Sequence, residues 1–357
     1  MFLRGFPGRP TALDLGSTLV RMHIAGRGLI AAEPCALARC RQTGRVLAVG
    51  RAALELAAKR PDVKLIRPVR LGVPAEQEDT EAILRRLLRR SHGSRYFARP
   101  RMVVAAPSSI TPVQHGAVCE AAYRAGARRL TVVPRPLAAA VGAGLLGPGR
   151  EIAVVADIGA HVTDIGLVSF GGLAGSATLP IGGATLDEAI VDLVRTTHEL
   201  IISAETAEAA KIAIGTAAAN RVRHERRCQV YGRDVHSGLP RTVMLSCAEV
   251  HEVIMPPITS IVAAIADQLA ASPPDIAAEL VSAGITLTGG SAAIEGLDRL
   301  VHKATGLPVR VADDPANAAV TGAAALLVQH RKNTVGDRAG DYGLLSLPKQ
   351  RWPSRGR

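Results

Sequence analysis

Two stretches of this chain repeat one pattern, and the repeat limits the fold more than any other feature. Thr11–Ile24 ("TALDLGSTLVRMHI") reads as an apolar strand, an Asp-Leu-Gly turn and a second strand. Ile152–Val168 reads as strand, Asp-Ile-Gly turn, strand. More strand and then helix follow in each case. A doubled hairpin of this kind predicts two related α/β domains facing a cleft, each presenting one turn to a shared ligand.

Length and composition agree with two such domains. The chain has 357 residues, 48% of them hydrophobic and only 3% aromatic, enough for two cores built from Ala, Val, Leu and Ile. No uninterrupted apolar run reaches the ~18 residues expected of a membrane helix, and the small-residue stretch Leu137–Leu146 reads as core helix. The net charge is +12, but six of the 43 basic residues are lysine, so arginine is the general choice. The arginines are scattered, apart from small clusters at Arg85–Arg90 and Arg221–Arg227, with few aromatics between them for base stacking. Nucleic acid is therefore not an expected partner, whereas anionic lipid is. Five cysteines without a CxxC pair predict reduced thiols and no zinc site. The opening "MFLRGFPGRP" is too short and broken for a signal peptide, which places the expectation in the cytoplasm.

Helical spacing of apolar residues predicts helices over Asp79–Ser91, Pro112–Ala125, Leu137–Leu145, Ser203–Thr216, Cys247–Ala271 and Gly296–Thr305. Ser246 with Glu249 three residues later reads as a capping box. Strands are expected at Arg101–Ala106, Arg129–Val133 and Gly284–Thr288, the last running into Gly289-Gly290. From Arg331 the chain mixes Gly, Pro and charge without periodicity and reads as a mobile tail.

The chemistry follows from residue type and place. A carboxylate at a strand tip suits a hydrated magnesium ion, which takes one or two carboxylates plus waters and phosphate oxygens. Asp14 and Asp157 occupy equivalent tips, and Gly16 and Gly159 follow each at the next turn position, where a bare backbone can approach phosphates. Such turns also occur in plain hairpins; the doubling favours function. Thr286–Leu297 ("TLTGGSAAIEGL") is a strand, two glycines and a helix start, suited to an anion or nucleotide and equally to a simple turn. Glu208 and Lys211 lie one turn apart, placed either to grip a ribose and purine edge or to form a surface ion pair.

Together these motifs resemble the MreB family of bacterial actins. The segments are DLG, PSSIT, RPLAAAVGAGL, the DIG loop continuing as TDIGLVSFGG, IGGATLDEAI, ETAEAAK, LTGGSAAI and GLPVRVADDP, spread from about Leu13 to Leu327. The resemblance implies an actin-like α/β fold: two related ribonuclease-H-like domains around a nucleotide cleft, each with a smaller subdomain. It places subdomain IA at 1–32, 77–145 and 317–330, IB at 33–76, IIA at 146–182 and 248–316, IIB at 183–247, and the tail at 331–357. It implies ATP and Mg2+, with Asp14 and Asp157 holding the metal through water. The nucleotide contacts it implies fall on Asp14, Gly16, Ser17 and Thr18; on Asp157, Gly159, Ala160, His161, Val162 and Thr163; on Glu208, Ala209, Ala210 and Lys211; and on Gly289, Gly290, Ser291 and Ala292.

This sequence departs from the family pattern at both phosphate loops. The first is usually Asp-Leu-Gly-Thr-Ala-Asn-Thr and is shortened here to Asp14-Leu15-Gly16-Ser17-Thr18. The second has Ala160-His161-Val162 in place of Gly-Gly-Thr, and the third glycine of the adenine-side turn is Ser291. Arg135 occupies the position of the glutamate that orients the attacking water. A guanidinium is not a base, but it can hold a γ-phosphate by paired hydrogen bonds. Loss of a positioned base costs roughly two to four orders of magnitude in rate, so hydrolysis is expected to be weak or absent.

The family attaches to membranes through an amphipathic N-terminus or an apolar loop. Phe2, Leu3 and Phe6 between arginines, and Tyr96 and Phe97 within "GSRYFARPR", suit shallow insertion at the inner face of the cytoplasmic membrane. The expected partners are further copies of the chain in a head-to-tail filament, the membrane, and the cell-wall or septation machinery. The second small subdomain, roughly Ala184–Leu245, is expected to carry an arginine-rich helix, and its "YGRDVHSGLPR" resembles the family's hairpin there. Two other readings stand beside this one. A nucleotide-independent scaffold would use the fold as a protein-binding surface. A sugar- or acetate-type kinase shares the fold superfamily, but no candidate substrate base is visible.

Overall fold

A computed structural model of the chain describes residues 8–92, 99–147, 150–218 and 225–333. The membrane candidates Phe2, Leu3, Phe6, Tyr96 and Phe97 lie outside the described residues.

The two predicted hairpins stand at the centres of two five-stranded sheets. In the first, Thr11–Leu15 pairs antiparallel with Leu19–Ile24, which pairs with Gly28–Pro34. On its other side it runs parallel to Arg101–Ala106, and that strand to Arg129–Pro134. In the second, Ile152–Ile158 pairs antiparallel with Thr163–Ser169 and then Gly172–Leu179. Its other side is parallel to Ile285–Thr288 and then Val309–Val311. Numbered along the chain within each domain, both sheets have the strand order 3-2-1-4-5. The central strands are buried along almost their whole length. Elements cover both faces of each sheet, and for this reason the strands read as continuous apolar runs rather than as alternation.

The domains join through two helices of small residues. Arg135–Gly142 leaves the edge strand of the first sheet, and Ala318–Asn333 packs along it. Leu137, Ala138, Ala139, Val155, Val168, Ala319 and Ala323 form one core that draws on both sheets. At the crossing, Gly142 and Gly322 bring the backbones into contact: a Cβ on Gly142 would lie 1.9 Å from the Ala318 carbonyl oxygen, and one on Gly322 1.7 Å from that of Ala138. Smaller units complete each half. Leu37–Cys40, Val46–Val49 and Val63–Ile66 form a sheet beside the helix Arg51–Lys59, and Leu200–Ile201, Arg227–Asp234 and Pro240–Ser246 form another.

Three expectations need correction. Arg227 opens a strand of the hairpin, so the arginine-rich stretch is not helical at that end, and 219–224 lie outside the described residues. The last helix runs to Asn333, past the tail's expected start at Arg331. Finally, Cys247–Ala270 is long and apolar enough to cross a membrane, although no uninterrupted run in the sequence is. Polar residues such as Thr259 and Ser260 interrupt the run without ending the helix. Its Val250, Ile254, Ile258, Ile261 and Ile265 recur at helical spacing and are buried in the second core. Ser246 caps this helix as expected, receiving the Glu249 N–H while its own N–H donates to the Glu249 carboxylate at 2.8 Å.

Candidate functional site

The two hairpin loops are equal in length and closed alike. Leu15 pairs with Val20 and Ile158 with Thr163, leaving four residues between in each. The Gly16 N–H donates to Leu19 O at 3.1 Å, and the Gly159 N–H to Val162 O at 2.9 Å. A Cβ on Gly16 would lie 2.6 Å from Leu19 O, so the first turn needs its glycine. The acidic residues differ in their opposite numbers: Asp14 faces Arg21 across its hairpin, whereas Asp157 faces Asp164.

A cleft of about 520 Å³ separates the loops, within the usual range for small-molecule sites. Of the expected contacts, Asp14, Gly16, Ser17, Thr18, Asp157, Gly159, Ala160, His161 and Val162 line it, with Glu208, Lys211, Gly289, Gly290 and Ser291. Four do not. Thr163 is buried and its hydroxyl donates to Ile181 O at 2.8 Å. Ala210 and Ala292 are buried, and Ala209 points outward on its helix. These four came from motif position, which does not distinguish the faces of a helix or strand.

Lys211 does not pair with Glu208. Its ammonium lies 2.7 Å from Asp187 Oδ1 and donates to Gly183 O at 3.0 Å. Burial pushes the Asp187 carboxyl up, against the hydrogen bond and charge of Lys211. Asp187 was missed by the motif reading, although "IGGATLDEAI" contains it. The glycine turn packs closely here: Gly289 has φ +85°, and a Cβ on it would meet Ile158 O at 2.3 Å. The Ser291 hydroxyl donates to Gly159 O at 3.1 Å, tying this glycine turn to the second loop.

Two features narrow the space between the loops. His161 Nδ1 stands 3.4 Å from the Thr18 hydroxyl, bridging the loops. Burial lowers its pKa, outweighing Glu188, so near neutral pH it is an uncharged hydrogen-bonding group. The N–H groups of Gly183 and Ala184, at the start of the helix Gly183–Thr197, donate to Gly159 O and Ala160 O. That helix start is therefore closed by the loop's own carbonyls.

Arg135 defines the floor of the cleft. Its Nε lies 3.3 Å from Asp14 Oδ1, and Nη2 donates to Leu15 O at 3.4 Å. Both side chains are buried. Burial alone would lower the arginine's pKa, but Asp14, Asp157 and Asp164 reverse this and it is raised, so the charge is permanent. The position follows from the backbone: Pro134 precedes the helix and Pro136 lies in its first turn. Pro136 sits against Gly166 of the second sheet, where a Cβ would be 2.4 Å away. Behind the guanidinium, Gly72 (φ +77°) donates its N–H to Ser17 Oγ at 3.0 Å.

The expected magnesium ion does not fit this arrangement. A metal on Asp14 and Asp157 would share their carboxylates with a buried guanidinium that cannot lose its proton, and Arg21 approaches Asp14 Oδ2 at 3.6 Å from the other side. Burial raises the Asp157 pKa to about 6, against the attraction of Arg135 and the Thr288 hydroxyl hydrogen bond at 2.9 Å, so it remains largely ionised at neutral pH and is met there by the guanidinium. Asp164 is occupied in fixing the domains: it accepts from the Ser108 N–H at 2.8 Å and from the hydroxyls of Ser108 and Thr178.

Paired sheets of one topology, acidic hairpin tips across a cleft and a two-helix junction define an actin-like protein. The MreB/Mbl protein family model matches residues 9–335, and the chain belongs to that family of cell shape-determining actin homologues. It is 34% identical over 320 residues to the cell shape-determining protein Mbl of Bacillus subtilis, covering 89% of this chain and 96% of that one. It is also 34% identical over 325 residues to MreB of Escherichia coli, covering 89% and 93%. The crystal structure of MreB5 of Spiroplasma citri bound to AMPPNP superposes with a TM-score of 0.84 at 28% identity, covering 91% and 98%. The MamK double helical filament shares the fold, with a TM-score of 0.74 at 19% identity.

Proposed function

We propose that the chain is a filament-forming actin homologue that organises cell shape and wall synthesis at the inner face of the cytoplasmic membrane. In this reading it holds ATP between the hairpin loops and hydrolyses it very slowly. The four-part division into subdomains and the head-to-tail assembly belong to the same reading. Glu208, Lys211 and the Gly289–Ser291 turn take the adenosine side, while the loops after Asp14 and Asp157 face the phosphates. Support for nucleotide comes from the cleft and from relatives of this fold crystallised with AMPPNP and ADP. The apolar residues at 2–6 and 96–97 supply the membrane contact, and many copies along a filament multiply that weak anchor.

One observation carries the claim of slow hydrolysis: Arg135, at the position of the family's glutamate, is bound to Asp14 at the cleft floor. No other side chain is assigned to orient the water. The test combines sedimentation on anionic vesicles with phosphate release. Filaments should pellet with lipid and ATP while releasing phosphate at least roughly 100-fold more slowly than an MreB relative assayed beside them. Equal rates would refute the reading. A second reading, the nucleotide-independent scaffold, draws on the His161–Thr18 bridge and the closed helix start. Filaments that form without any ATP binding would establish it.

A further inference from the structure

The charges at the cleft floor form a set. Asp14, Asp157 and Asp164 supply three carboxylates, and Arg135 and Arg21 supply two guanidinium groups. One formal negative charge remains. Without Arg135 two would remain, the complement of a divalent cation. Arg135 interacts electrostatically with all three carboxylates, which come from both domains. Its Nε and Asp14 Oδ1 approach to 3.3 Å without hydrogen-bond alignment, and both atoms are buried with no other partner. The contact is thus mainly one of charge. The guanidinium also borders the cleft, so its field reaches whatever lies between the loops.

We propose that Arg135 is a built-in cation that replaces a protein-held divalent metal, so that the cleft takes a nucleoside polyphosphate without needing one. The inference rests on the nucleotide reading above for its ligand, but its charge argument concerns the protein without nucleotide as well. In the first role the guanidinium neutralises Asp14 and Asp157 at no cost in metal hydration. In the second it offers positive charge to phosphate oxygens at the floor, where its three carboxylate neighbours would otherwise repel them. Arginine suits both roles because its charge is permanent and its donors form a planar fork.

The test uses the full chain in two measurements. First, the thermal midpoint of the nucleotide-free protein is followed with added Mg2+ against an ionic-strength-matched monovalent salt. The wild type should show no magnesium-specific shift. Arg135→Gln, with its carboxylates exposed to one another, should gain one. Second, ATP is titrated calorimetrically in Mg2+ and in EDTA. Wild-type affinity should differ by less than about threefold between the two, whereas Arg135→Gln should weaken at least roughly tenfold in EDTA and recover with Mg2+. ATP binding that needs Mg2+ in the wild type, or a magnesium-specific shift of its midpoint, overturns the inference and leaves the nucleotide reading intact. Absence of ATP binding in both buffers removes the nucleotide reading; the first measurement then still decides whether Arg135 replaces a metal. Both arms yield a wild-type result, so they stand even if the variant does not fold.

Discussion

The crossing of Gly142 and Gly322 allows a sharp prediction about what holds the two domains at their spacing. A methyl group on Gly322 would sit 1.7 Å from the Ala138 carbonyl oxygen and 2.6 Å from the Gly142 nitrogen. Ordinary carbon contacts begin near 3.4 Å, so the helices Arg135–Gly142 and Ala318–Asn333 must part by roughly 1.5 Å. The obstructing atoms are backbone and cannot rotate away. Overpacking costs about 1–3 kcal/mol where side chains can adjust, so Gly322→Ala belongs at or above the upper limit, ~3 kcal/mol. At roughly 2 °C per kcal/mol for a chain of this size, the midpoint should fall by ~6 °C. Chemical denaturation followed by circular dichroism measures the same loss. Gly116→Ala is the control: it lies exposed within the helix Pro112–Ala125 with nothing within 4 Å of the added Cβ. That change should be neutral or stabilise by up to ~1 kcal/mol. If Gly322→Ala behaves like Gly116→Ala, the close crossing does not set the spacing and the reasoning fails.

Two further predictions concern buried charge. Asp157 has a folded pKa of about 6, raised from 3.8, so the folded chain binds its proton more tightly than the unfolded one. Its contribution to stability is complete below pH 3.8 and is lost as pH rises through about 6, a total of ~3 kcal/mol. Asp157→Asn keeps an acceptor for the Thr288 hydroxyl and should therefore stabilise the protein at pH 7.5 but not at pH 4; an equal effect at both would contradict the burial argument. Lys211→Met strands Asp187 beside the cleft and should cost ~3 kcal/mol, while adding Asp187→Leu should recover much of it, because an unpaired buried charge costs more than a missing pair. Additive losses in urea denaturation would show the two side chains to be independent.

What was legible in the sequence was whatever short-range physics controls. Pro112–Ala125 begins after Thr111, whose capping box with Gln114 fixes the start, and its span is the expected one. Arg101–Ala106 likewise follows from its apolar run. The doubled hairpins were legible because each Asp-x-Gly turn is local. Contacts made across the fold were not. Lys211 had Glu208 three residues away as its nearest acid, yet it pairs with Asp187 on a neighbouring helix. Arg135 meets Leu15, 120 residues earlier in the chain, and nothing in "VPRP" announces that partner. The glycine crossing was equally hidden, since "AVGAGL" reads as a small-residue helix until a second such helix is laid across it.

The doubling also explains why one arginine has such reach. Two copies of a hairpin placed face to face bring their acidic tips together, and like charges held near one another across a cleft repel. Each tip here is relieved differently. Asp164, opposite Asp157, is taken up by Ser108 and Thr178, while Arg21 stands opposite Asp14. The remaining charge lies between the two sheets, where Arg135 at the start of the junction helix meets it. The junction helix begins with Arg135 held between Pro134 and Pro136, and Pro136 seats that helix against Gly166 of the second sheet. Its charge is therefore fixed to the backbone at the junction rather than carried by a diffusing ion. Domain spacing in this chain is consequently tied to a covalent part of itself, and added divalent metal should have little hold over it.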